Sequence, residues 1–263
     1  MQRGMLAVGG GGATSYASLM GLNVMPAAYA MMAQRHMALY GTKPEHFAQV
    51  SVKSHRNALH NPYAQYRIAL TLEEVLNSRM VCDPLTLYQC CPTSDGASAV
   101  ILASRRFARR RGRSFVRLRA WAGGSPLYSP DAESLGEGPT TLVARRAYAA
   151  AGVGPEDIDV TQVHDAFTPG EILTIEELGY VKLGEGGPFV WEGGTEITGR
   201  YPVNTDGGLL SRGHPVGATG GAMVTEIVRQ LRGQAGPRQI PGAKVGLVHN
   251  AGIGGVNVLI FDR

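Results

Sequence analysis

The stretch "VNTDGGLLSRGHPVGATG", residues 203–220, sets a histidine between Gly213 and Pro215 in a glycine-rich turn, just ahead of an amphipathic run. An imidazole placed there is held by main chain, and glycine N–H groups beside it can approach a ligand closely. The run that follows, "AMVTEIVRQLRG" (222–233), has Val224, Ile227, Val228 and Leu231 at the i, i+3, i+4, i+7 spacing of a helix. Such a helix turns its positive end toward the histidine. Downstream, "AKVGLVHNAGIGGVNVLIFD" (243–262) reads as two closing strands with a glycine turn between them. Upstream come a helix in "TTLVARRAYAAAG", a strand near "IDVTQVHDAF" and a helix in "PGEILTIEELG". The last is read as opened by Thr168 with Glu171 in a capping box and closed by Gly179, with a polar hairpin-like segment after it up to residue 200. Strands alternating with covering helices predict a layered α/β sheet.

The earlier part is more helical. "MPAAYAMMAQRHMALYG" predicts a helix stopped by Gly41, its methionines facing a core or a subunit contact. "TKPEHFAQVSVKSHRNALHNP" predicts a second, capped by Thr42 with Glu45 and broken at Asn61-Pro62, and "TLEEVLNSR" a short third. "DGASAVILAS" (95–104) reads as a buried strand or a strand–helix turn, and "SFVRLRAWAG" (114–123) alternates as a strand should. The loop "GGSPLYSPDAESLGEGP" divides the chain into residues 1–125 and 126–263. "GGGG" at 9–12 is not a phosphate loop, because no Gly-Lys-Ser/Thr follows it.

Composition narrows the class. With 44% hydrophobic and 17% charged residues, 263 residues can bury a real core, and 36 glycines without a collagen period indicate many tight turns. No apolar run has the length of a membrane-spanning helix and no signal-peptide stretch opens the chain, so a cytoplasmic location is expected. The net charge is +4, and the arginines concentrate in "RRFARRRGRSFVRLR", Arg105 to Arg119. This reads as a solvated helix end followed by a strand, or as a basic rim for an anionic cofactor or partner. It carries no aromatic-interleaved surface of the kind that binds nucleic acid. Cys82, Cys90 and Cys91 fit neither a disulfide framework nor a metal spacing, and the adjacent Cys90 and Cys91 read as buried small hydrophobes in a reducing compartment.

Of the seven histidines, His36, His46, His55 and His60 fall in the helical part and read as surface or satisfied buried side chains. His164, followed by Asp165, ends a strand; His214 lies in the glycine turn; His249 ends another strand before a further glycine turn. Three imidazoles at strand ends and turn tips can converge at one sheet edge, where open α/β folds place their sites. Zinc is the competing reading, disfavoured by the lack of a close i, i+4 pair. Glycine N–H groups with a neutral imidazole instead suit an oxyanion hole for a thioester carbonyl becoming an enolate or alkoxide.

With those residues on the page, the chain resembles the thiolase superfamily, in particular its sterol-carrier-type and archaeal acetoacetyl-CoA branches. The likeness rests on "VHDAFTPGEILTIEELG", "VNTDGGLLSRGHPVGATG" and "VGLVHNAGIGGVNVLIF", supported by "HMALYGTKPEHFA" and "PTSDGASAVILAS". It implies a layered α/β/α/β/α fold of two similar halves: an incomplete N-terminal half with its helical loop region (1–125) and a C-terminal half (126–263). It also implies a dimer or tetramer and an acyl-coenzyme A substrate, with no bound cofactor or metal. By family role His214 activates a nucleophilic cysteine and helps form an oxyanion hole. His164 with Asp165 corresponds to the water-holding pair, and His249 stands where many thiolases carry an acid/base cysteine. Gly213, Gly217, Gly252 and Gly254 are the implied thioester-binding glycines. Three features depart from the pattern, His249 in place of that acid/base cysteine being one. The segment expected to carry the nucleophile is missing, and Ala166 stands where sterol-carrier-type enzymes have a cysteine. Three activities follow as expectations: an acyl-CoA C-acyltransferase; a retro-aldolase on steroid side-chain CoA esters working with an OB-fold (DUF35-type) partner; or a non-catalytic binding or assembly subunit.

Overall fold

The structure, a computed structural model, describes residues 25–111, 115–124, 138–252 and 255–263. The glycine-rich start, the 125/126 division and Gly254 lie outside the described residues.

A four-stranded mixed sheet organises the C-terminal part, in the order β3-β6-β5-β4. Here β3 is Arg117–Gly124, β4 Val160–Gln162, β5 Val245–Gly252 and β6 Gly255–Asp262. β3 and β6, and β5 and β6, are antiparallel, whereas β4 runs parallel to β5. Alternation along the strands divides their side chains between two faces. Leu247, Val258 and Ile260 share a core with Val143, Ala144 and Ala147 of α5 (Pro139–Ala151). Val160, Val248 and Phe261 share the other core with Met223, Ile227 and Leu231 of α8 (Thr219–Leu231). Each buried Leu, Ile, Val, Met or Phe side chain among these is worth about 1.5–3 kcal/mol of transfer free energy. The same alternation along β5 sends His249 to the α5 face and Asn250 to the α8 face, where its amide meets the Met223 sulfur at 3.7 Å.

The earlier residues form α1 (Met25–Tyr40), α2 (Pro44–Ala58), α3 (Leu72–Leu76), a small hairpin of β1 (Met80–Cys82) and β2 (Leu85–Thr86), and α4 (Arg105–Arg110). α6 (Thr168–Glu177) and α7 (Gly186–Trp191) complete the described helices. α2 is tied to α6 through a fully buried ion pair, Lys53 with Glu171, and the Lys53 ammonium also donates to the Val203 carbonyl at 3.1 Å. Arg117 and Arg119 pair with Asp262 across the sheet, and α4 is exposed, so the basic run is a solvated helix followed by a strand.

Several local expectations are corrected. Residues 95–104 form no strand; they are exposed, and among the described residues no strand pairs with them. The segment after Gly179 contains α7 instead of a hairpin. Thr168 does not cap α6: Phe167 is the N-cap, and Glu171 is turned inward to Lys53. Likewise Lys43, not Thr42, precedes α2, and the Thr42 hydroxyl meets His36 Nδ1 at 2.7 Å. The buried face of α1 is Ala30, Ala33 and His36, leaving Met31 and Met32 exposed.

Candidate active site

The glycine-rich turn is shaped by neighbours distant in sequence. Gly208–Arg212 makes a single wide helical turn flanked by Gly207 and Gly213, whose φ values of 103° and 112° lie in the region that favours glycine. A Cβ on Gly213 would meet Ser94 Oγ at 2.7 Å. That close approach lets Ser94 Oγ accept from the His214 N–H at 2.9 Å while donating to Gln65. Ser98 donates to the Ala218 carbonyl at 2.7 Å. Residues 94–98 therefore lie along 215–218, and an open groove of about 420 Å³ runs between them. Gly217 lines this groove, and a Cβ there would meet nothing.

His214 faces His164 edge-to-face, ring centroids 5.0 Å apart at 89°. The His214 Nδ1 is 2.8 Å from Thr219 Oγ1, and that hydroxyl donates to the Pro215 carbonyl at 3.0 Å. A hydroxyl has one proton, so its oxygen accepts from Nδ1–H, and the network assigns His214 a bare Nε2. His249 is buried, with Nε2 3.1 Å from Thr140 Oγ1 at the start of α5 and no partner at Nδ1. His164 Nδ1 is also buried and without a partner.

All three imidazoles are held neutral. Burial, with the nearby His214, His249 and Arg212, pushes His164 down to about 3. Burial alone takes His249 to about 4, and burial with Arg212 lowers His214. Arg212 is itself anchored by Asp206 at 2.6 Å and Gln162 at 3.1 Å. Asp165 is turned toward the 208–209 backbone: its Oδ1 accepts from the Leu209 N–H at 2.7 Å. Burial and the neighbouring Glu171 raise its carboxyl to about 8, so it is a neutral acid at pH 7. Burial also pushes the Cys90 and Cys91 thiols up to about 12.

The structure thus brings His164 and His214 together and sets His249 near enough to depress His164. Gly252 ends β5, exposed and paired with Gly255. Of the remaining histidines, His36 bridges Thr42 and Glu176, His55 meets Ser211, and His60 is exposed. Sequence reasoning missed Thr219 and Thr140, the hydroxyls that meet the rings of two site histidines, and Ser94, which accepts from the His214 main chain. The spacing of Thr219, five residues after His214 in a turn closed by proline, was the available signal. Thr140 and Ser94 reach their histidines only across the fold.

A family model described as "Thiolase C-terminal domain-like" matches residues 129–260. The acetyl-CoA acetyltransferase of Methanothermobacter thermautotrophicus is 47% identical over 242 residues, covering 90% of this chain and 63% of that protein. Human (Homo sapiens) sterol carrier protein 2 is 44% identical over 247 residues, covering 91% of this chain and 45% of that protein. The benzoylsuccinyl-CoA thiolase subunit BbsB of Thauera aromatica is 39% identical, covering 88% of this chain and 61% of that protein. The chain therefore spans less than two thirds of each of these relatives. A solved structure titled "Ltp2-ChsH2(DUF35) aldolase" superposes with a TM-score of 0.81 at 29% identity, over 98% of this chain and 69% of that one. With its glycine-turn histidine, its α/β sheet and a family match over half its length, the chain belongs to the thiolase family as a thiolase C-terminal domain-like protein.

Proposed function

We propose that this chain supplies the enolate-stabilising half of an acyl-CoA C-acyltransferase site, acting on coenzyme A thioesters by Claisen condensation or the reverse thiolytic cleavage. The observation that carries the reading is the edge-to-face meeting of His164 and His214, 5.0 Å apart and both held neutral beside an open groove. Neutral imidazoles can polarise a thioester carbonyl and take up an α-proton without first losing a charge. The bare Nε2 of His214 suits it to take the proton of a thiol nucleophile, after which the same N–H stabilises the developing oxyanion. Cys90 and Cys91, held as thiols, are unsuited to that role. The reading places the nucleophile on a cysteine beyond these 263 residues. Assembly as a dimer or tetramer belongs to the same proposal, and light scattering reads it.

The test needs no nucleophile. Incubating the chain with acetyl-CoA in D2O and following deuterium at the α-carbon by mass spectrometry reports enolate formation directly. Exchange above the buffer rate, lost in His214→Ala, is the expected result. Absence of exchange together with absence of thioester binding would sink the reading, and binding without exchange would leave only the assembly-subunit role.

A second reading has its own support. Ala166 removes an acid/base thiol, and the structural neighbour is titled an aldolase with a DUF35 component. Retro-aldol cleavage needs a base and a carbonyl stabiliser but no nucleophilic cysteine. Release of a short acyl-CoA from a steroid side-chain 3-hydroxyacyl-CoA without consumption of free coenzyme A, strengthened by an OB-fold partner, would favour it.

A further inference from the structure

A second cavity, of about 650 Å³, lies between α5 and the chain that leaves α6, and shares no residue with the groove beside His214. Small-molecule sites typically enclose about 300–1,000 Å³. One wall is a single face of α5, where Thr141, Ala144, Arg145 and Tyr148 hold the i, i+3, i+4, i+7 positions. Val153 and Pro155 continue that wall past the helix end, and Leu178, Val181 and Lys182 belong to the other. The Tyr148 hydroxyl donates to the Leu178 carbonyl at 3.1 Å and joins the two walls.

Polarity is uneven along this cavity. Ala144, Tyr148 and Leu178 are buried, and Val153 and Val181 half-buried, which gives an apolar floor. Arg145 and Lys182 are exposed and mark the mouth. Thr141 is only 9% exposed, yet its Oγ1 is buried and has no partner. A buried hydroxyl left in that state marks a place where a bound group would meet it. The two carboxyls of the lining are engaged elsewhere. Glu176 meets His36 Nε2 at 3.0 Å and accepts from the Gly186 N–H at 2.7 Å. Glu177 lies against Gly138, where a Cβ would collide with it, and burial pushes its carboxyl up. We propose that this cavity binds a medium-chain carboxylate, its acid group held by Thr141, Arg145 and Lys182 and its hydrocarbon body laid against Ala144, Tyr148 and Leu178. The hydroxyl thereby gains a partner, two cations face one anion, and the hydrocarbon displaces water from apolar side chains. None of the three site histidines takes part, so this site is independent of the thioester chemistry proposed above.

The test is calorimetric titration of the full chain with decanoate, and with decyltrimethylammonium as a probe of the same length and opposite charge. Decanoate should bind saturably and the cation should not. Lys182→Glu, at an exposed position, should leave the thermal midpoint in place and raise the decanoate Kd about tenfold. Val153→Trp, which fills the cavity, should abolish binding; if that variant does not fold, Lys182→Glu and covalent labelling still decide. A diazirine-bearing decanoate photolysed on the unaltered chain should label the tryptic peptide 147–182 at residues 148–155 or 178–182. Saturating acetyl-CoA should leave both the affinity and the label unchanged. Absence of saturable binding would overturn the proposal, as would equal binding of the two probes or a Kd unmoved by Lys182→Glu. Label on residues 94–98 or 215–218, or displacement of decanoate by acetyl-CoA, would move the ligand to the groove and overturn it as well.

Discussion

Thr219 gives its hydroxyl proton to the Pro215 carbonyl, and the same oxygen takes the Nδ1 proton of His214. A threonine thus decides which nitrogen of the imidazole carries the proton. Thr219→Val should keep the fold but free the ring, lowering the deuterium exchange rate about tenfold, near the 1.4 kcal/mol worth of one well-placed hydrogen bond. Acidity supplies a second expectation at this scale. His164 and His249 titrate at about 3 and about 4 when folded, below the unfolded value of about 6.5. Between those limits the unfolded chain binds protons that the folded chain refuses, so their contribution to stability is present above pH ~6.5 and is lost as pH falls toward ~4. Each group can remove up to about 1.4 kcal/mol per pH unit over that window. Urea midpoints measured at pH 7 and pH 5 should therefore drop at the lower pH, and should drop less in His249→Gln. Asp165 acts in the opposite sense. Its folded value of about 8 lies above the unfolded ~3.9, so its contribution is present at acid pH and fades as pH rises through 8. Asp165→Asn, which keeps an acceptor for Leu209, should flatten the loss of stability seen on going from pH 6.5 to 8.5 in thermal melts.

At the level of elements, the tie between α2 and α6 is the most exacting contact. Lys53 and Glu171 are both buried, and the Glu171 Oε2 already lacks a partner. Lys53→Met would strand a carboxylate in the interior at a cost of about 3–5 kcal/mol. The expected outcome is a large fall in the chemical-denaturation midpoint, mostly recovered in Lys53→Met with Glu171→Leu. This pair also shows where sequence reading stopped. The spacing Thr168 to Glu171 reads as a local cap, yet a lysine from another helix, 118 positions earlier, claims the glutamate. Apolar spacing found α8 and alternation found β3, because each of these buries one face against the sheet or its neighbours. It failed at 95–104, where apolar side chains face outward and the rule that links apolar alternation to a strand loses its premise. At the site, glycine turns and strand ends exposed the three histidines. Thr140, which holds the His249 ring, and Ser94, which holds the His214 main chain, are joined to them by tertiary contact alone, with no short-range pattern to reveal it.

For the whole molecule, the sheet with α5 on one face and α8 on the other is the frame, and the earlier helices and the 91–104 stretch lie against its site end. Ile101 and Leu102 are 93% and 80% exposed, adjacent to half-exposed Val100 and Phe107. An apolar run of this kind promotes association. Replacing both Ile101 and Leu102 by Asp should reduce light scattering at high concentration while moving the thermal midpoint little, since neither side chain contributes to the core.

The groove beside His214 has walls taken from stretches some 120 positions apart, joined by the Ser94 and Ser98 hydroxyl contacts. Any molecule that fills the groove touches both walls and so fastens the outer stretch to the frame. Occupancy should therefore be readable with a protease: trypsin cutting at Arg105 and Arg106 ought to slow in step with saturation by a thioester, giving a binding curve even for a chain that turns nothing over.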